Sequence, residues 1–142
     1  MDKKIMDLNL KNKRVIVTGS SKGIGLEILT KFIDEEANVI MNSRNESAID
    51  QIKNKKNCNF IQADVSKPEG AELLINKSIE LLGGIDILIC NVGSGKSVKP
   101  GNENFSEWQE VFSKNFFSAT NCIESAKSHL SKSNGCIVCI SS

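Results

Sequence analysis

The chain has 142 residues, enough for one domain with a real core, and its 39% apolar and 25% charged residues are those of an ordinary globular protein. A formal net charge of +1 removes any global electrostatic case for nucleic acid or anionic lipid as a partner. The start, MDKKIMDLNLKNK, scatters its charges and has no apolar stretch, and no apolar run elsewhere is long enough to span a bilayer, so a cytoplasmic protein with no membrane contact is expected.

Short β-branched runs alternate with longer helical patterns along the chain. RVIVTG (14–19) reads as the first strand, followed by a helix over 23–35. NVIMNS (38–43) is the second strand, with a helix near 45–54, and CNFIQAD (58–64) is the third. Ser66, Pro68 and Glu69 signal the start of a helix over 68–82, and LLGG (81–84) signals its stop. DILICN (86–91) is the fourth strand. The loop GSGKSVKPGNEN (93–104) follows, long enough to be functional, and then a helix over 105–131 and a fifth strand, GCIVCIS (135–141). Near-continuous apolar strands separated by helices mean a parallel sheet covered on both faces: the expected class is α/β, doubly wound, as a single domain over 1–142.

Several features carry bland readings. The run KNKK (53–56) reads as a solvated helix end, and His129, late in a helix, as a packing or surface residue. The five cysteines, Cys58, Cys90, Cys122, Cys136 and Cys139, lie mostly in apolar runs, which fits buried free thiols. Cys136 and Cys139 are spaced C-x-x-C, but inside a strand that spacing places them on opposite faces, so no metal site is assigned.

The segment VIVTGSSKGIGLEI (15–28) runs from strand through a glycine loop into a helix. Gly19, Gly23 and Gly25 allow a tight turn, close approach of backbone to a pyrophosphate, and close packing of helix on strand. The helix N-terminus adds N–H donors and a positive dipole end for phosphates. A second glycine loop, CNVGSGKS (90–97), looks like an ATPase phosphate loop. Cys90 stands where that loop needs its first glycine, so the match fails at the turn.

The spacing of the first loop, G-x-x-x-G-x-G, departs from the common dinucleotide fingerprint and resembles the short-chain dehydrogenase/reductase family. TGSSKGIG (18–25) is similar to that family's cofactor loop, and ADV (63–65) to its adenine-side motif. CNVG (90–93) is similar to the N-N-A-G motif after strand four, and ISS (140–142) to the strand-five end. The resemblance implies a Rossmann-like sheet of strand order 3-2-1-4-5, truncated here after strand five. It further implies a cofactor site built from Gly19, Ser21, Lys22, Gly23, Ile24, Gly25, Arg44, Asp64, Val65, Asn91, Val92 and Gly93, with Lys96 at its mouth.

An NAD site wants an acid at the end of the second strand to accept from the ribose 2′-OH, but the chain has Asn42 and Ser43 there, with Arg44 next. Lys22 occupies a loop position that in the family favours a 2′-phosphate, so NADP is expected in preference to NAD. Among catalytic residues the resemblance implies Asn115 for the proton relay and Ser142 as the serine that holds a carbonyl oxygen. The family's tyrosine and lysine lie on the next helix, and this sequence contains no tyrosine.

The expected function is therefore an NADP-dependent oxidoreductase acting on a small carbonyl or alcohol substrate, represented by an incomplete and inactive chain. The alternative is a catalytically dead NADP-binding module with a regulatory or assembly role, and a third is an unrelated α/β nucleotide-binding or structural protein. An apolar fifth strand left at a sheet edge predicts aggregation or strand-mediated pairing into a homo-oligomer.

Overall fold

The computed structural model describes residues 7–46, 50, 52, 54–96 and 98–141. Among them, five strands form one parallel sheet: β1 (Arg14–Val17), β2 (Asn38–Ser43), β3 (Cys58–Gln62), β4 (Ile87–Cys90) and β5 (Cys136–Cys139). Their order is β3-β2-β1-β4-β5, the order the resemblance implied. Helix α1 (Gly23–Asp34) follows β1, α2 (Pro68–Leu82) follows β3, and α3 (Phe105–Phe112) leads through a π-helical turn (Ser113–Phe117) into α4 (Ser118–Ser133).

The apolar runs form strands because both of their faces are covered. Ile16, Ile40, Leu88 and Cys90 point to one side, against Leu74 and Ile75 of α2 and Cys122, Ala126 and Leu130 of α4. Val15, Val17, Val39, Met41 and Ile89 point to the other, against Leu29 and Ile33 of α1. Alternate side chains thus go to opposite layers, the period of two that a pleated strand imposes.

Three sequence expectations change, and a fourth falls partly outside the described residues. The strands expected to end at Gly19, Asp64 and Asn91 stop at Val17, Gln62 and Cys90, and Gly19, Ala63, Asp64 and Asn91 leave the sheet to line a cleft. The helix expected over 45–54 includes residues 47–49, 51 and 53, which lie outside the described residues. The sheet is not covered on both faces throughout, since every residue of β5 is exposed: as the last strand of the sheet it has one neighbour, β4.

The single helix expected over 105–131 is broken in phase. A π turn holds one residue more than an α turn, so it rotates all that follows by about 100° relative to what precedes it. The stripe Phe105, Trp108, Phe112 and Phe116, in phase with Ala126 on an unbroken helix, is therefore exposed, while Cys122, Ala126 and Leu130 are buried. Neighbouring rings of the stripe contact one another, with centroids 6.4 Å apart for Trp108–Phe112 and 6.5 Å for Phe112–Phe116.

At the amino-terminal edge of the sheet, Arg14 and Asp86 tie β1 to β4. The Asp86 carboxylate accepts from the Arg14 backbone N–H at 2.8 Å, Nε at 2.9 Å and Nη2 at 2.8 Å. Arg14 Nη1 also donates to Gly83 O, closing the end of α2 against the sheet. The sheet is thus pinned at the edge opposite the cleft.

Candidate functional site

A cleft of about 580 Å³ opens at the carboxyl edge of the sheet, where β1 and β4 lie side by side while their connections run to opposite sides. Open α/β sheets bind ligands at such a point. All twelve residues expected to hold a cofactor line it, from Gly19 to Gly25 on one wall, through Arg44, Asp64 and Val65, to Asn91, Val92 and Gly93 on the other.

The glycine loop is held by side chains at the ends of three strands. Ser20, fully buried, donates its hydroxyl to Val17 O at 2.7 Å and accepts from the Asn42 N–H at 3.0 Å. Asn42, also buried, sends its amide N–H groups to Ile61 O and Ala63 O, both at 3.2 Å, so it joins the ends of β2 and β3. Just past β4, Asn91 Nδ2 donates to Thr18 O at 3.2 Å and Gly19 O at 3.1 Å, and its backbone N–H donates to Thr18 Oγ1 at 2.9 Å. The loop is held in place by buried hydrogen bonds, and such bonds are costly to lose.

The glycines have separate roles. Gly19 sits at φ +59°, the left-handed region that an L side chain adopts at a cost. A Cβ at Gly25 would lie 2.4 Å from Asn91 Nδ2 and 2.5 Å from Gly19 O, so α1 can start this close to the loop only at a glycine. At Gly23 a Cβ would meet nothing within 4 Å. Behind it, α1 begins without a capping side chain and without an acidic residue in its first turn, whereas α3 is capped by Asn104. The Lys22 side chain thus leaves the first N–H groups of α1 uncapped, as an anion site at a helix start requires. This wall fits a dinucleotide pyrophosphate.

The far end of the cleft is cationic. Arg44 follows β2 and is exposed, as is Lys22, and neither Asn42 nor Ser43 supplies a carboxylate. Asp64 is the acid on this side, engaged by the Ser66 hydroxyl at 2.6 Å and the Ser66 N–H at 3.2 Å. Burial pushes its carboxyl up, but the two Ser66 bonds and the charges of Arg44 and Lys67 outweigh this and hold it below the usual carboxylate range.

Asn115 stands in the middle of the π turn. Its amide is exposed, because the π turn swings it off the core face toward the loop after β4. There its Oδ1 accepts from the Ser94 N–H at 2.7 Å and its Nδ2 donates to Ser94 O at 3.1 Å, a two-point clamp on the backbone of one residue. Lys96 and Lys114 line the cleft beside it. Ser142 lies outside the described residues. The strand leading to it is anchored at the same edge by Ile140 N–H donating to Cys90 O at 2.9 Å.

Ser20, Asn42 and Ser94 are the residues that motif spacing misses. Ser20 and Asn42 are buried polar positions at strand ends, which is a visible signal, whereas the Ser94 contact depends on the π turn and has no local one.

Comparison with known proteins agrees with this geometry. The short chain dehydrogenase family model matches residues 13–142. Glucose 1-dehydrogenase 2 of Bacillus subtilis is 34% identical over 133 residues, covering 89% of this chain and 52% of that protein. A 3-oxoacyl-[acyl-carrier-protein] reductase of Staphylococcus epidermidis is 32% identical over 119 residues, covering 80% of this chain and 49% of that one. A short-chain dehydrogenase/reductase of unknown function from Caenorhabditis elegans, solved with cofactor, superimposes with a TM-score of 0.88 at 28% identity, covering 94% of this chain and 54% of that one. The NADH-dependent reductase A1-R′ complexed with NAD gives a TM-score of 0.86 at 25% identity, covering 94% and 61%. The chain belongs to the short-chain dehydrogenase family, whose members bind a nicotinamide cofactor, and it spans about half the length of the curated relatives it matches.

Proposed function

We propose that residues 1–142 form the cofactor-binding domain of an NADP-dependent short-chain dehydrogenase/reductase that interconverts a small carbonyl compound and its alcohol. The observation that carries the cofactor choice is the end of β2, where an exposed Arg44 stands with no carboxylate at Asn42 or Ser43 and an exposed Lys22 lines the same cleft. A carboxylate there would accept from a ribose 2′-OH, while two cations suit a 2′-phosphate.

In this reading the start of α1 and the Gly19–Gly25 loop hold the pyrophosphate, Asp64 and Val65 flank the adenine, and Asn91, Val92 and Gly93 support the nicotinamide end. A nicotinamide bound there supplies or accepts the hydride. Asn115 holds the Ser94 peptide at the mouth and is the relay residue, and Ser142 orients the substrate oxygen. Proton delivery needs an acid that no tyrosine of this sequence provides, so the 142 residues bind the dinucleotide without turning it over.

Calorimetric titration with NADPH and NADH tests the assignment. Lys22→Glu and Arg44→Glu should each weaken NADPH by about tenfold or more, the range for one charge-assisted contact, and leave NADH nearly unchanged. Equal losses for both cofactors would end the NADP assignment.

A further inference from the structure

We propose that Gln62 is a positioning residue for cofactor choice: from the end of β3 it holds the main chain of Arg44 where the guanidinium meets the 2′-phosphate of NADP. This rests on the NADP reading above and names the contact that enforces it.

The turn that carries Arg44 out of β2 has three successive carbonyls tied down. Ser43 O accepts from the Ala63 N–H at 3.0 Å. Arg44 O accepts from Gln62 Nε2 at 2.9 Å, and Asn45 O accepts from the Ser43 hydroxyl. Two of the three donors thus come from the end of β3. Ser43 and Gln62 are Cα partners in register, and Gln62 is exposed beside the buried Ile61, so its side chain reaches one residue further along the chain than its Cα partner. The whole arrangement lies within residues 43–66, at the end of the sheet opposite β5.

Arg44 lines the cleft and Gln62 does not, so Gln62 acts on a bound cofactor through Arg44. Two things make that hold matter. Fixing a long, rotamer-rich side chain on a phosphate costs entropy, and a main chain free to shift adds to the cost. A second anion also stands nearby, the Asp64 carboxylate, whose proton affinity the charge of Arg44 helps to lower. Arg44 and Asp64 nevertheless form no ion pair among the described residues, and Asp64 is engaged by Ser66 instead. With its carbonyl held, Arg44 is kept from closing on Asp64, and its planar fork is left for a phosphate, the group that such a fork suits.

Calorimetric titration with NADPH and NADH, on the 142-residue chain and on Gln62→Met, tests this. Methionine keeps the length of glutamine and has no N–H to donate. NADPH should bind about fivefold more weakly, the size of one hydrogen bond, with NADH within about twofold of wild type. Both cofactors are read on one preparation, so any loss of folded protein cancels from their ratio. In an Arg44→Ala background, Gln62→Met should leave NADPH binding where Arg44→Ala alone puts it, because the contact acts through Arg44. Equal losses for the two cofactors, no loss for either, or a fivefold loss that persists without Arg44 would overturn the role of Gln62 while the NADP reading stands. A wild-type chain that binds NADPH no more tightly than NADH ends the NADP reading itself, and this role with it.

Discussion

At the scale of single residues, two glycines two positions apart make different demands. Alanine at Gly25 puts a Cβ within 2.5 Å of the Gly19 carbonyl and within 2.4 Å of the amide that holds it. Overpacking of that kind costs about 1–3 kcal/mol, and here it also pries Asn91 from the loop. Gly25→Ala should therefore lose both stability and dinucleotide affinity. Gly23, at φ +57° with open space around it, carries only the backbone penalty of about 1–2 kcal/mol. Urea denaturation of the two variants should rank Gly25→Ala as the less stable, and the reverse order would mean the loop relaxes around the clash. Asn42 gives a matched case among polar residues. Its removal in Asn42→Ala strands two buried carbonyls, Ile61 O and Ala63 O, at a cost of about 1–3 kcal/mol, which the urea midpoint reads directly.

At the scale of elements, the Arg14–Asp86 latch sets how the sheet responds to acid. The Arg14 side-chain bonds hold the Asp86 carboxyl below its ordinary value, against a smaller opposing push from burial. A depressed carboxylate contributes stability that is complete above its unfolded pKa of about 4 and is lost as pH falls through the lower folded value. Wild type should thus exceed Asp86→Asn by about 1.5 kcal/mol near neutrality, with the gap closing as pH drops below 4. A gap that stays constant to pH 2 would show that the carboxylate charge is not what matters. The π turn is the second element with a consequence. Asn115→Leu should release the Ser94 peptide, and faster amide exchange at Ser94 with little change in global stability would report it.

At the scale of the whole molecule, β5 leaves the sheet with an apolar outer strand, with Ile137, Val138 and Ile140 each more than a third exposed. Unpaired strand edges of this composition template further pairing. Sedimentation velocity of the 142-residue chain should show concentration-dependent association, and Val138→Lys should suppress it, since a lysine on an edge strand blocks approach. A wild-type chain that stays monomeric at high concentration would contradict this.

Much of this was readable in the sequence because the signals are local and periodic. Apolar runs alternating with helical patterns specify a parallel sheet whatever its details, since a strand buried on both faces must be apolar at every position. The glycine spacing and the strand-end motifs were legible for the same reason: backbone approaching a phosphate needs glycine at set positions, and short loops keep those positions fixed. Tertiary structure alone decided the rest. The exposure of the Phe105–Phe116 stripe follows from one extra residue in a helical turn, which leaves the pattern of residue types unchanged. The staple made by Ser20, Asn42 and Asn91 joins three strand ends that only the sheet order brings together. The bond from Gln62 to Arg44 depends on strand register, which spacing along the chain does not encode.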